Sequence, residues 1–234
     1  MKRLVLVLNG KGGVGKSFFA VNLVQYLVDR KVAHTAIDTD NENSTLKRFH
    51  PAAEFVDPSH PRELDRIFVR METTELAVVD CRAASSDLFL DHFAETGWKD
   101  VLEAADTRLT LAIPINHEAD SVDQVQRFAE SLGALPQYLV VRNAVHSDSF
   151  ALYESLALRV RLTKELGARE IDVPRLQDWL VETLNRENLT VTAAVTHASV
   201  HLLDRQRLRH WQRRLYAALA TVQQLLLPEV PHGK

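Results

Sequence analysis

Short apolar runs alternate with longer amphipathic segments along the chain, and this alternation predicts an α/β protein. The apolar runs are typical of buried strands and cover residues 4–8, 32–37, 75–80, 109–114, 138–143 and 169–174. Apolar residues recur at helical spacing in residues 18–28, 61–73, 85–96, 98–105, 120–132, 150–166 and 176–185. The 234 residues are enough for one domain with a sizeable core, and we predict a single domain over residues 1–234.

The last amphipathic segment predicts a long helix over about residues 202–227 that packs on the rest of this domain. Its apolar stripe comprises Leu208, Trp211, Leu215, Leu219 and Val222. By contrast, residues 50–62 contain several prolines and predict an irregular crossing loop.

A glycine-rich segment between the first predicted strand and the first predicted helix fits the phosphate-binding pattern G-x-x-x-x-G-K-[ST]. Its residues are Gly10, Lys11, Gly12, Gly13, Val14, Gly15, Lys16 and Ser17. Glycines let the backbone N–H groups turn inward, so these groups and the helix N-terminus can hold phosphate oxygens. We expect Lys16 to reach the β- and γ-phosphates of a nucleotide and the Ser17 hydroxyl to bind Mg²⁺.

The early lysine at position 11 makes this loop resemble the deviant Walker A motif of the ParA/MinD family of P-loop ATPases. The resemblance extends over about residues 3–175 and implies an α/β fold with three layers, a mostly parallel sheet carrying helices on both faces. It implies ATP and Mg²⁺ as cofactors. It also implies a homodimer in which Lys11 reaches the partner's nucleotide and stabilises charge on the transferring phosphoryl group. Without the resemblance, a solvated loop lysine is the simpler interpretation.

Three aspartates, Asp38, Asp40 and Asp80, stand at or just after the ends of predicted strands, where an open α/β sheet forms its ligand crevice. An apolar strand closed by an aspartate is the Walker B arrangement, so we expect Asp80 to hold Mg²⁺ directly or through water. The resemblance implies that Asp38 supports the metal, together with Ser17 and Asp80, and that Asp40 orients the attacking water. With Lys11 and Lys16, Asp40 completes the predicted catalytic set.

A helix cap is the alternative role for Asp38 and Asp40, because the capping residues Asn43, Ser44 and Thr45 follow them. Two sites also depart from the family pattern. Asn41-Glu42 replaces the usual Pro-Gln after the second aspartate, and Arg82 stands where the Asp-x-Pro motif has proline. Two roles stay open for Arg82. It either contacts phosphate or a partner subunit, or it is a solvated loop arginine.

Residues at the ends of later strands resemble the family's contacts to the nucleotide base. Asn143 matches an adenine-contacting asparagine, since an amide can pair with both a donor and an acceptor on adenine. Pro174 matches a segment after the last strand that packs on the base, and Phe18 follows the phosphate-binding loop directly. A turn-forming asparagine is the alternative for Asn143.

Composition narrows the classes of protein that remain. The net charge of −3 gives no global basic field for nucleic acid, and a single cysteine, Cys81, excludes intrachain disulfides and argues against iron–sulfur clusters. The N-terminus has no signal-peptide pattern, and no apolar run approaches the length of a membrane span. We therefore expect a cytoplasmic protein, and association with the nucleoid stays open.

The densest basic patch lies on the predicted final helix, where Arg205, Arg209 and Arg213 share a face. Non-specific binding to DNA phosphates and a solvated helix face are both open for this patch. The segment that follows it, residues 223–229, lacks basic side chains, and Pro228 would interrupt an amphipathic helix there. Both features argue against membrane attachment.

These observations favour an ATPase of the ParA type, in which ATP closes a dimer that holds DNA or cargo. Hydrolysis, stimulated by an adaptor or activator protein, would then release it, as in plasmid or chromosome partition or positioning. Two other classes stay open. One is a membrane-cycling regulator like MinD, and the other is a metabolic P-loop enzyme that modifies a small molecule.

Overall fold

A parallel sheet forms the middle layer of the computed structural model, which describes residues 1–145 and 147–229. Its strands are β1 (Lys2–Val7), β2 (Thr35–Asp38), β3 (Glu54–Phe55), β4 (Leu76–Asp80), β5 (Thr107–Ile115), β6 (Gln137–Asn143) and β7 (Arg169–Val173). They lie in the order β3-β2-β4-β1-β5-β6-β7, and each neighbouring pair is parallel. The predicted parallel sheet is therefore confirmed.

Helices cover both faces of this sheet, as predicted. In the described residues they are α1 (Lys16–Asp29), α2 (Thr45–Phe49), α3 (Pro61–Thr73), α4 (Ser86–Thr96), α5 (Trp98–Ala104), α6 (Ala119–Leu132), α7 (Ala151–Ser155), α8 (Ala157–Val160), α9 (Asp178–Glu187), α10 (Val191–Ala194), α11 (Leu202–Ala220) and α12 (Gln223–Leu226). A π-helical turn, Arg161–Glu165, follows α8.

The two faces bury separate apolar cores because successive strand residues point to opposite sides of a sheet. In β1, Val5 and Val7 join a core with α1, α9 and α11, whereas Leu4 and Leu6 join a core with α3, α4, α5 and α6. Both sets of side chains are fully buried, so β1 lies at the centre of the molecule.

The crossing loop predicted over residues 50–62 contains one short strand that the sequence did not indicate. Strand β3 has only two residues, and it pairs with β2 through the backbone at Ile37 and Asp38. Such a short edge strand has no detectable hydrophobic period, because alternation needs several residues to show.

The prediction of one continuous helix over residues 150–166 is wrong. The chain is extended at Leu156, which separates α7 from α8. Tyr153 and Leu158 are both buried in the same core. On a straight helix two side chains in this i and i+5 relation would point about 140° apart, so the break brings both to the core.

The long C-terminal helix is also shorter than predicted, because α11 ends at Ala220 and only a short helix, α12, follows. Residues 224–227 lie beside the start of the sheet. There the guanidinium group of Arg3 donates hydrogen bonds to the carbonyl groups of Gln224 (2.8 Å) and Leu227 (3.2 Å). Straight continuation of α11 would leave these contacts unmade. Among the described residues, no helix combines the length and the apolar character needed to cross a bilayer.

Candidate functional site

The glycine-rich loop leaves the carboxyl end of β1 and enters α1 at Lys16. Gly13 and Gly15 have positive φ angles, 78° and 84°, which an L-amino acid with a side chain rarely adopts. A Cβ atom on Gly15 would lie 1.9 Å from Nδ2 of Asn143, so this position also lacks space for a side chain. The loop therefore has the tight geometry that lets backbone N–H groups surround an anion.

Lys16 points back into this loop. Its side chain is buried, and its Nζ donates a hydrogen bond to the carbonyl group of Lys11 at 2.8 Å. Burial lowers the pKa of Lys16, although the nearby Asp80 carboxylate favours the charged form. A phosphate group bound in the loop would place a negative charge beside this buried amine and favour its charged form.

Asp80 ends β4 and is buried beside the loop. Neither of its carboxylate oxygens accepts a well-formed hydrogen bond from any described residue, although the nearby Ser17 hydroxyl favours the charged form. Burial raises the pKa of Asp80 to about 8. A buried carboxylate without partners costs free energy, and such groups are typical of sites that receive a ligand or cation.

Asp38 and Asp40, at the end of β2 and in the loop after it, have more hydrogen-bond partners than Asp80. Asp38 is buried, and its oxygens accept hydrogen bonds from the backbone N–H groups of Asp40 (2.9 Å) and Lys47 (3.0 Å). Burial still raises the pKa of Asp38, against these hydrogen bonds. The carboxylate thus binds a backbone N–H group in the first turn of α2, which is the helix-capping role that the sequence left as an alternative, and its oxygens can still accept from a further ligand.

Asp40 is half-buried, and its Oδ1 accepts hydrogen bonds from the backbone N–H groups of Glu42 (2.9 Å) and Asn43 (3.1 Å). Burial acts to raise the pKa of Asp40, but the hydrogen bonds from Asn43 and Glu42 outweigh it, so the pKa lies below its usual value. Asp40 therefore presents a charged carboxylate near Lys16 and Asp80.

Thr39 connects this loop to the end of β4, and sequence reasoning missed it. Its buried hydroxyl donates to the carbonyl group of Asp80 at 3.1 Å and accepts from the N–H group of Arg82 at 3.0 Å. A polar residue between two strand-end aspartates is the signal that could have indicated such a link. Thr39 fixes the Asp38 loop against the Asp80 strand.

The side chains at this edge fit a magnesium ion. Mg²⁺ is usually bound through one or two carboxylates together with substrate phosphates and water. Asp80 supplies the unpartnered carboxylate, Ser17 a hydroxyl beside it, and Asp38 lies opposite Asp80 in the β2–β4 register. Within the described residues no group of three or more His, Cys, Asp or Glu side chains could hold a metal alone, so the phosphates would have to complete the shell.

Lys11 lies at the open side of the loop and forms ion pairs within its own chain. Its Nζ is 3.1 Å from Oε2 of Glu118 and 3.1 Å from Oδ2 of Asp120, and its side chain is 33% exposed. Asp120 and Glu118 raise the pKa of Lys11. These partners had no signal near Lys11 in the sequence, because they follow β5, far along the chain. The Lys11 side chain is thus accessible, and its two ion pairs lie near the surface.

The two predicted base contacts, Asn143 and Pro174, lie at one cavity with the predicted nucleotide-binding residue Phe18. Phe18, Asn143 and Pro174 line a cavity of about 290 Å³ beside α1, together with apolar residues of α9 and the segment after it. The Asn143 amide donates to the carbonyl group of Val14 at 3.0 Å, so it positions the loop whether or not it also meets a base. Trp211 of α11 donates a hydrogen bond to the carbonyl group of Pro174 at 2.6 Å.

The model of the CobQ/CobB/MinD/ParA nucleotide binding domain family matches residues 5–199. The chain belongs to this family. The match covers the phosphate-binding loop, the three aspartates and the cavity beside α1, so the ParA/MinD resemblance found in the sequence is confirmed.

Several relatives of this ParA/MinD-family protein match it over nearly the whole chain. It is 26% identical to Protein TraL of Escherichia coli, over 94% of this chain and 98% of TraL. It is 22% identical to Protein MobD of Acidithiobacillus ferrooxidans, again over 94% and 98%. Among solved structures, the septum site-determining protein MinD of Pyrococcus horikoshii, complexed with Mg-ADP, has a TM-score of 0.53 at 14% identity, over 92% of this chain and 96% of MinD. This last likeness supports the fold.

Two of the three predicted DNA-binding arginines form hydrogen bonds within the chain. Arg205 donates to the carbonyl group of Val200 at 2.8 Å, and Arg209 donates to the carbonyl group of Val195 at 3.2 Å. Arg213 is exposed and forms no hydrogen bond or ion pair with any residue that the structure describes. Two of the three guanidinium groups thus bind carbonyl groups of the segment before α11.

Proposed function

We propose that this protein is an ATPase of the ParA type, which binds ATP with Mg²⁺, dimerises, and is reset by slow hydrolysis that an adaptor protein stimulates. The observation that carries the proposal is the buried, unpartnered Asp80 carboxylate beside Lys16 and the Ser17 hydroxyl. Ionisation of such a buried carboxyl costs free energy, which a cation and a phosphate bound beside it would offset.

The phosphate group would be held by the loop of residues 10–17, with Lys16 as its principal cation. A bound Mg²⁺ would be held by Ser17 and Asp80, with Asp38 in support, and would neutralise charge on the phosphates. Asp40 would accept a hydrogen bond from the attacking water, since its lowered pKa keeps the carboxylate charged.

Lys11 would act in a second subunit. Its ion pairs with Glu118 and Asp120 lie at the surface, so they can be exchanged for phosphate oxygens at little cost. A cation placed from a partner subunit stabilises charge on the transferring phosphoryl group, as an arginine finger does. The base of ATP would occupy the cavity lined by Phe18, Asn143 and Pro174.

The ATP dimer would hold DNA or cargo and so serve in plasmid or chromosome partition or positioning. Two copies of the arginine face at Arg205, Arg209 and Arg213 would raise avidity for DNA phosphates without any new contact. Attachment to a membrane through the tail is disfavoured, because Leu225 and Leu226 are buried and Arg3 binds the carbonyl groups of their neighbours.

Light scattering of the full chain with ATP·Mg²⁺, ADP·Mg²⁺ and no nucleotide tests the proposal. We expect a dimer with ATP and monomers otherwise, and a longer-lived dimer with little turnover for Asp40→Ala, because the water loses its orienting carboxylate. The proposal fails if ATP leaves the protein monomeric while Asp40→Ala hydrolyses ATP like the parent.

Gel-shift titrations over a salt series test the DNA face. Replacing Arg205, Arg209 and Arg213 together by alanine should weaken DNA binding by the ATP dimer and reduce the salt slope, because fewer counterions are released. An unchanged slope would place the DNA contacts elsewhere on the protein.

A further inference from the structure

A second cleft lies on the face of α11 away from Arg205 and Arg209, between this helix and the segment that follows β7. Its volume is about 390 Å³. Arg175, Arg207, His210 and Arg214 line it with basic groups, and Leu203 and Trp211 give it an apolar side. It is separate from the nucleotide cavity, because Trp211 and Pro174 stand between the two.

The basic groups of this cleft are only weakly compensated. Arg207 pairs with the half-buried Asp204 at 2.7 Å, and Arg175 pairs with the exposed Asp178 at 3.7 Å. Both pairs join side chains three residues apart near the surface, a type that contributes little. Arg214 and His210 form no hydrogen bond or ion pair with any residue in the described ranges. The cleft therefore has unused hydrogen-bond donors for an anionic ligand.

Large apolar side chains are exposed on the segments that border the cleft. Leu203, which lines it, is 57% exposed, and the adjacent Leu202 is 62% exposed. Trp179, just after the lining residue Gln177, is 52% exposed. Exposed aromatic and aliphatic groups beside arginines are characteristic of surfaces that bind other proteins.

Carboxylates around the cleft restrict the shape of an acceptable anion. Asp178 and Asp204 lie at its border, and Asp148 and Asp172 line the neighbouring depression that shares Arg175 and Arg214. A DNA duplex presents closely spaced phosphates along its length and would meet these carboxylates. A peptide with a few separated carboxylates can place them on the arginines alone.

We propose that this cleft is a docking site for an acidic, partly apolar peptide segment of a partner protein. Its carboxylates would pair with Arg207 and Arg214, and its apolar residues would cover Leu203 and the edge of Trp211. Charge complementarity and the exposed apolar groups determine this choice of occupant, and the proposal is independent of nucleotide binding.

Selection from a random peptide library displayed on phage, with the full-length chain as bait and Arg207→Gln/Arg214→Gln as counter-bait, provides the probe. The enriched peptides are then synthesised with a fluorescent label, and their binding is measured by anisotropy. We expect sequences that combine Asp or Glu with apolar residues. Their affinity should fall about tenfold for each arginine replaced, since charge-assisted hydrogen bonds are the strong ones.

Arg209→Gln/Arg213→Gln is the matched control, because it removes the same charge from another face of the same helix, and circular dichroism verifies that both variants fold. The control should bind the peptides like the parent, and Leu203→Ser should bind them more weakly. The proposal is overturned if no peptide distinguishes the parent from the cleft variant, or if the enriched peptides lack acidic residues. It is also overturned if a DNA duplex binds the parent and loses affinity in the cleft variant alone, which would assign the cleft to nucleic acid.

Discussion

Arg3 at the amino ends of the strands and Asp80 at the carboxyl ends are both buried charged residues, but their surroundings differ. Arg3 donates hydrogen bonds to Thr110 and Gln137 and to the carbonyl groups of Gln224 and Leu227. Asp80 has no such partner in the described part of the chain. The chain thus neutralises one end of its sheet with its own C-terminal segment and leaves the other end incomplete.

This difference separates a structural charge from a functional one. A buried ion that the protein satisfies by itself contributes to one specific fold, whereas a buried ion without partners lowers stability until a ligand arrives. The unsatisfied carboxylate lies where the phosphate-binding loop, Asp38 and Asp40 converge, as the carboxyl edge of a parallel sheet favours. Four variants test this comparison.

Arg3→Ala should have the largest effect, because it leaves several buried acceptors without a donor and releases the end of the chain. We expect the free energy of unfolding to fall by ~3–5 kcal/mol in urea denaturation. Arg108→Ala is the control, because Arg3 and Arg108 both approach Glu229, at 3.6 Å and 4.0 Å, but Arg108 is 54% exposed. Equal stabilities for the two variants would contradict a structural role for Arg3.

Lys16→Ala should weaken ATP·Mg²⁺ binding by about a hundredfold or more, or ~3 kcal/mol, because the phosphates lose their principal cation. Calorimetric titration measures this, with the exposed Lys99→Ala on α5 as a control of equal charge. Unchanged affinity in Lys16→Ala would refute the phosphate-binding loop.

Asp80→Asn should stabilise the free protein by ~1–3 kcal/mol near pH 8, because it removes an unpartnered buried charge, while Mg²⁺-dependent hydrolysis is lost. The folded pKa of about 8 lies above the ordinary value, so the folded state binds the extra proton. The parent's free energy of unfolding should therefore fall as pH rises from about 4 to about 8, and the advantage of Asp80→Asn should shrink at low pH.

Thermal unfolding at pH 5 and pH 8, with and without Mg²⁺, tests the Asp80 prediction, and the exposed Asp91→Asn on α4 is the control. A variant that is destabilised at both pH values would show that Asp80 has a structural partner after all.

Lys11→Ala should have the smallest effect on stability, because its ion pairs with Glu118 and Asp120 lie at the surface. We expect an unfolding transition like that of the parent and normal ATP binding by the monomer. Dimer formation, hydrolysis or both should nevertheless decline, which light scattering and a phosphate-release assay measure. If dimerisation and turnover both equal those of the parent, Lys11 is only a loop residue.

Local sequence determined the parts of this protein that a few neighbouring residues can specify. The phosphate-binding loop requires glycines and a lysine at fixed spacing, and six of the seven described strands with most of the helices follow from hydrophobic periodicity. Asp38 and Asp80 were recognisable because each closes an apolar run at a strand end. The same logic failed at Leu156 and after Ala220, where local periodicity continues and the chain bends to satisfy distant contacts.

Tertiary structure alone decided which residues meet across the chain. Asn143 supports the loop at Val14, Glu118 and Asp120 hold Lys11, and the C-terminal segment covers Arg3. None of these contacts has a local signature, because each joins elements whose proximity depends on the strand order β3-β2-β4-β1-β5-β6-β7. That order places β1 between β4 and β5, so it determines which charges the chain neutralises and which it leaves for a ligand.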